Sequence, residues 1–275
     1  MTQLRDQSDQ IRLGTLQVLG SGLHVGGLAP DDFLNQKSFL FDGVNEIIEG
    51  PGSSVVIGTS PTAITFSAWV KTTNTANRYI QSLKRDLTSA SSLFSIRVDG
   101  ADKFGLILRL AASTKSTAYV VPGGLTDGGW HHVLGTWDNV TGAEAIVDGV
   151  SVGTEADLLG TDADLEEPYT VGGFDQVNPT LSWNGNIDEP AVYGGLTKFT
   201  LAQAQELYDQ TGPGKPGNPS LISRGADLKT WYRMGDAVGD DATGTTGKLV
   251  DQVNSPALDG TPFNTESGDF VLDVP

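Results

Sequence analysis

The sequence predicts an all-β protein, two antiparallel sheets packed face to face as a sandwich with one short helix. Three observations carry this. Apolar and polar residues alternate with a period of two through several short segments, as along strands with one buried face. Glycine supplies 35 of the 275 residues and proline another 13, which favours many turns and hence many short strands. Asp-Gly pairs stand between alternating segments, where hairpins turn.

Taken in order, residues 1–37 hold neither a helical nor a strand period. Gly14, Gly20, Gly22, Gly26 and Gly27 interrupt apolar pieces such as Leu16-Gln17-Val18-Leu19. We read an extended N-terminal arm that anchors the protein or joins copies of it. From Ser38 to residue 212 the chain reads as the sandwich. Ile64, Phe66, Ala68 and Val70 form one apolar face. Phe94, Ile96 and Val98 alternate, Asp99-Gly100 turns, and Phe104, Leu106, Leu108 and Leu110 alternate back. A second hairpin runs from Ala143 to Val147, through Asp148-Gly149, to Val150–Val152. Thr200 caps the helix with Gln203 completing a capping box; Leu201, Ala204, Leu207 and Tyr208 share its face, and Gly212-Pro213 ends it. Pro213 to Pro219 form a stiff linker. The C-terminal segment, residues 213–275, holds one strong strand around Trp231. It is too small for a core of its own, so it is expected to dock on the sandwich or on a neighbouring subunit.

Four stretches recur in register: Ser38-Phe39-Leu40-Phe41-Asp42-Gly43, Thr65-Phe66-Ser67-Ala68-Trp69-Val70-Lys71, Asp127-Gly128-Gly129-Trp130-His131-His132-Val133, and Gly185-Asn186-Ile187-Asp188-Glu189 followed by Tyr193. Together they resemble the laminin-G-like, concanavalin A-like lectin/glucanase family over about residues 38–210. The resemblance implies a jelly-roll sandwich and leaves function open, because this fold hosts lectins, enzymes and structural proteins. The segment Leu228 to Asp236, with Val250-Asp251-Gln252 and Ala257 to Thr261, resembles the piece that normally opens the domain. Its place after the domain implies a circular permutation or an exchange of strands.

Composition excludes several functions. The net charge is −17, from 34 acidic and 17 basic residues. Phosphate binding needs clustered Lys and Arg, so nucleic acid and anionic membranes are disfavoured as partners. There is no cysteine, hence no disulfide, thiolate nucleophile or cysteine-based zinc site. Residues 1–10 have no apolar core of the kind a signal peptide needs. We therefore expect a protein made in a host cytoplasm and carried on a virion surface, as a capsid decoration, head fibre or tail appendage. Its expected partners are a capsid or other virion protein, further copies of itself, and a cell-surface glycan. The alternatives are an extracellular, calcium-dependent carbohydrate-binding module and, more remotely, a glycoside hydrolase.

Family glucanases use Glu-x-Asp-x-x-Glu on one strand. Here Asn186 and Val192 stand where the flanking acids belong, so no catalytic residue is assigned and the chain is read as not an enzyme. His131 and His132 point to opposite faces of a strand and cannot share a metal. The resemblance brings Asp42 and Asp188 to one edge of the sandwich, and with the carbonyl of Gly43 these hard oxygen ligands suit a structural Ca2+. For a glycan, exposed aromatics beside amides are the signature. Asn74, Arg78 and Tyr79 after the Trp69 strand, and Trp183 with Asn184 before the Asp188 strand, are the candidates, Trp183 being the expected exposed ring.

Overall fold

The alternating segments are strands, and the faces they alternate between are the inside and outside of a sandwich. The computed structural model describes residues 33–59, 61–86, 91–110, 113–156, 167–174 and 181–275. The chain divides into two units, Met1–Phe33 and Leu34–Pro275. The arm read from the sequence lies outside the described residues up to position 32. The sandwich belongs to the second unit.

In chain order the elements are β1 (Ser38–Asp42), β2 (Ile47–Gly52), α1 (Ser53–Ile57), β3 (Ala63–Lys71), β4 (Arg78–Asp86), β5 (Ser91–Val98), β6 (Lys103–Leu110), β7 (Ser113–Val120), β8 (Trp130–Asp138), β9 (Gly142–Val147), β10 (Val150–Glu155), β11 (Pro168–Val171), β12 (Asn184–Gly195), α2 (Leu201–Tyr208), β13 (Leu228–Trp231), β14 (Thr261–Phe263) and β15 (Phe270–Val271). One sheet runs β10-β9-β8-β3-β12-β1-β15, with β13 also on β12; the other runs β14-β2-β11-β4-β5-β6-β7. All pairings are antiparallel. The expected all-β sandwich is therefore present, and both expected hairpins form, as β5–β6 and β9–β10.

The core lies between the sheets. Ile64, Phe66, Ala68 and Val70 of β3 meet Phe94, Ile96, Leu106 and Leu108 from the facing sheet. Phe66 stacks on Phe94 at 5.1 Å. Gly135 of β8 has no room for more: a Cβ there would stand 2.4 Å from Ile96 Cγ2 and 2.8 Å from Leu106 Cδ2. The C-terminal segment enters the same core with Tyr232, Met234, Ala242 and Leu249.

β12 organises the molecule. On one side it pairs with β3 along most of its length. The other side is shared, with β1 along Asn184–Ile187 and β13 along Ala191–Tyr193. Between these stretches the register shifts, and Glu189 adopts a left-handed φ of 48°. A bulge of this kind re-aims side chains. The outer face of this sheet carries Thr65, Ser67 and Trp69, which are buried although they face away from the core. α2 covers them. Its N-terminus has the expected capping box between Thr200 and Gln203, and its Tyr208 stacks on Trp69 at 5.7 Å. The linker closes on itself beside the helix, where Thr211 Oγ1 donates to Pro216 O at 2.6 Å.

Candidate functional site

Two groups of residues carry the chemistry of this sandwich. The first is the loop end formed by the β1–β2 turn, the β3–β4 loop and the start of β12. Gly43 makes the β1–β2 turn with φ 77°. Asp42 Oδ1 accepts from the backbone N–H of Val44, at 2.7 Å, and of Asn45, at 3.3 Å. This Asx turn is the ordinary work of an aspartate before glycine. Asn184 pairs with Asp42 in the β1–β12 ladder, and its Nδ2 donates to Asp42 O at 2.8 Å. Thr72 Oγ1 donates to Asn184 O at 2.6 Å and accepts from Asn74 N at 2.9 Å. Asn74 Oδ1 accepts from Ala76 N. Asn184, Asn74 and Thr72 thus join two loops by polar contacts, and Arg78 opens the strand that leaves them.

Two of the candidate aromatics do not serve as exposed platforms. Trp183 is fully buried in the main core, and its Nε1 donates to Asn186 O at 3.2 Å. It stands one residue before β12, so its face is set by that strand's register, which the local sequence does not disclose. Tyr79 is 6% exposed. It packs against Phe174 at 5.1 Å on the outer face of β4, with Arg97 5.9 Å above its ring. Burial raises its phenol pKa. Asp175 and Gln176, beside Phe174 in the sequence, lie outside the described residues.

The shared calcium site does not survive the register. Phe39 pairs with Ile187 and Asp42 with Asn184, which places Asp188 level with the far end of β1. Asp42 and Asp188 are four positions apart along the ladder, roughly 13 Å at ~3.3 Å per residue. Both carboxylates also hold protein donors. Among the described residues no group of three or more His, Cys, Asp or Glu side chains is arranged to hold a metal. Asp42, Gly43 and Asp188 therefore do not fit one Ca2+ ion. A shared motif places residues on neighbouring strands; only the offset between those strands fixes their distance.

The second group surrounds the β12 bulge. Asp188 Oδ2 accepts from Asn35 Nδ2 at 2.7 Å, and its Oδ1 from the Glu189 N–H at 2.9 Å. Glu189 accepts from Trp231 Nε1, and from Arg233 Nε at 3.4 Å. Arg233 also donates to Leu34 O and lies 3.7 Å from Asp236. Asp236 in turn accepts from the backbone N–H of Gln36, at 2.7 Å, and Lys37, at 3.3 Å. Residues 34–37, which lead into β1, are thereby held by β12 and the C-terminal segment. Burial raises the carboxyl pKa values of both Asp188 and Glu189; repulsion from Glu189 adds to the rise at Asp188, while Arg233 and the Trp231 indole oppose it at Glu189, which still reaches about 8. The Asp188-Glu189 pair is visible in the sequence. Arg233 and Asp236 lie in the segment expected to dock on the sandwich, but nothing local pairs them with Glu189, which is 44 residues or more upstream.

Beside Glu189 a cavity of about 10 Å³ is lined by Ser67, Trp69, His132, Gln210 and Pro216, among others. That is room for about one water. Ser67 Oγ and His132 Nε2 stand 2.8 Å apart, but among the described residues no carboxylate reaches the other ring nitrogen. Asp148 Oδ1 instead accepts from the His132 backbone N–H at 2.9 Å. Burial holds the imidazole near pKa 4 and hence neutral. A Ser–His pair without an orienting acid and without space for a substrate is a packed hydrogen bond, not a nucleophile and its base. His131 points the other way, between Asp148 at 2.7 Å and Asp127 at 3.1 Å. These carboxylates raise its pKa and stabilise its charged form.

Known proteins share this architecture. The family model described as the Concanavalin A-like lectin/glucanases superfamily matches residues 50–198. A provisionally assigned carbohydrate binding protein from Bacteroides ovatus superposes with a TM-score of 0.60 at 14% identity, covering 88% of this chain and 62% of that one. The chain thus spans less than two thirds of that protein. A native heptameric SAP-like pentraxin from Limulus polyphemus matches with a TM-score of 0.45 at 20% identity, covering 70% of this chain and 93% of that one. Domains LG4-5 of the mouse laminin alpha1 chain match with 0.47 at 15%, covering 72% and 48%. A search of curated protein sequences gives no match.

Proposed function

We propose that this chain, which belongs to the Concanavalin A-like lectin/glucanases superfamily, is a non-enzymatic adhesive module carried on the surface of a virion. The observation that supports the non-enzymatic reading is the fate of Asp188 and Glu189. Retaining and inverting glycosidases need two carboxyl groups about 5–10 Å apart across a cleft that admits a sugar. Here the two neighbouring acids are at most 5% exposed, and both are occupied by structural donors. Among the described residues, the loop end is the surface that fits such a ligand. Asn45, Asn74, Asn77 and Arg78 bring amide and guanidinium groups there, the donors and acceptors that hydroxyl-rich glycans need, and Asn184 fixes the turn beside them. Calcium has no part in this reading.

The virion placement draws on the −17 charge and the absence of cysteine, and on a separate unit, Met1–Phe33, that precedes the sandwich in sequence. A decoration protein gains affinity from many weak contacts repeated over a symmetric surface, and an arm is a natural anchor for it. The test is co-sedimentation of the full chain and of residues 34–275 with undecorated particles, beside a glycan-binding screen and a reducing-sugar assay. Full-length protein should pellet with particles and the truncated form should not. Sugar release by either would overturn the non-enzymatic reading, and equal pelleting would move the anchor to the sandwich.

A further inference from the structure

We propose that Asn184 is a site of spontaneous deamidation, and that its conversion loosens the Asp42 turn from β12. Asn184-Gly185 is the single Asn-Gly step in the sequence. The reaction is internal to the chain. The Gly185 amide nitrogen attacks Asn184 Cγ, and the new C–N bond closes a five-membered succinimide. The Cγ–Nδ2 bond breaks, and ammonia leaves with the proton that the attacking nitrogen gives up. Water then opens the ring at either carbonyl, leaving aspartate or isoaspartate. One water is consumed and one ammonia released, with no oxidant or cofactor. Glycine after the asparagine favours the step, because no side chain crowds the nitrogen and the backbone turns freely.

Three features of the fold place this chemistry at Asn184. It is the first residue of β12 and forms the terminal pair of the β1–β12 ladder, while the β3–β12 ladder begins only at Asn186. Strand ends open at lower cost than strand centres. Next, the fold fixes the glycine. Gly185 has φ 129°, and a Cβ there would stand 2.2 Å from Lys71 O, so no other residue can relieve the Asn-Gly step. Last, the carboxamide at risk holds structure. Its Nδ2 donates to Asp42 O at 2.8 Å, and it packs so closely on Gly43 that a Cβ there would be 2.5 Å from Nδ2. Other asparagines lack this combination: Asn186 precedes isoleucine inside the ladder, and Asn218 precedes a proline, which has no N–H.

Conversion replaces the donor with a carboxylate oxygen. Acceptor then faces acceptor at Asp42 O, in a turn that already holds the Asp42 carboxylate. The isoaspartyl product also lengthens the main chain by one methylene, and the Asp42–Asn184 pair loses its register.

The experiment is to age the full chain in mildly alkaline buffer and follow it by peptide mapping, isoaspartate detection and thermal melting. The peptide holding Asn184 should gain the amide-to-acid mass ahead of every other asparagine peptide. Isoaspartate should appear in it, and the aged protein should melt a few degrees lower. Asn184→Gln should keep its melting temperature on ageing. Should that variant fail to fold, Asn184→Asp, which carries one product directly, should show the lowered melting temperature without ageing. Conversion that trails the other asparagines would overturn the site, and a converted Asn184 with unchanged melting would overturn the loosened turn.

Discussion

Glu189 and His132 sit on either side of one small cavity and titrate in opposite senses. Burial raises Glu189 from 4.5 to about 8 and lowers His132 from 6.5 to about 4. A carboxyl raised in the folded state binds a proton that the unfolded chain has lost, so stability falls as pH rises from 4.5 to 8. A histidine lowered in the folded state does the reverse, adding stability as pH rises from 4 to 6.5. Between 4.5 and 6.5 the two offset. Above 6.5 the Glu189 loss is no longer opposed, and it amounts to about 1.4 kcal/mol per pH unit. His131 (raised) and Glu46 (raised by burial to about 7) add losses of the same sign. Chemical denaturation should therefore show stability declining from pH 6.5 to 8, and Glu189→Gln should flatten that decline; a curve that rises there would refute the account. Gly135→Ala tests packing between the sheets. With a Cβ 2.4 Å from Ile96, it should destabilise by roughly 1–3 kcal/mol through overpacking, read as a lower urea midpoint. Chelators should leave the melting temperature unchanged, since the two candidate ligands lie on different reaches of their strands. At this scale the sequence was legible where chemistry is local. The Asp42 turn and the opposed faces of His131 and His132 follow from a turn rule and a strand period. Trp183 and Asp188 were misplaced because exposure and proximity depend on which residue of the neighbouring strand stands opposite.

Among the elements, the C-terminal segment is the one whose removal should matter most. β13, β14 and β15 complete the pairing of β12, β2 and β1. Between them they frame Tyr232, Met234 and Leu249 in the main core. Deleting residues 220–275 would bare part of β12 and one side each of β1 and β2. We expect aggregation or loss of a cooperative melt; a soluble truncation with an unchanged melting temperature would contradict this. The long elements were readable, since β3, β5, β6 and β9 carry unbroken alternation and α2 carries its cap. β14 and β15 were not. Thr261–Phe263 and Phe270–Val271 are too short to show a period. They are strands because β2 and β1 offer edges there, and that is a fact about the fold around them.

For the whole molecule, the sandwich was legible and the assignment of its surfaces was not, because four motifs can name a fold without saying which loops are free. The two ends of the sandwich meet in one ladder. Ser38 pairs with Val271, and its hydroxyl donates to Asp273 O across 235 residues of chain. During synthesis β1 therefore waits with the place of its β15 partner empty until that strand emerges. Contacts so distant in sequence make folding slow, because the loop must close before the pairing repays it. Ribosome-bound chains halted before Leu228 should be cut readily by protease, and chains in which an added C-terminal spacer carries Asp273 clear of the ribosome should resist. The interval between those two lengths is when a nascent copy is open to capture by its neighbours on the same message.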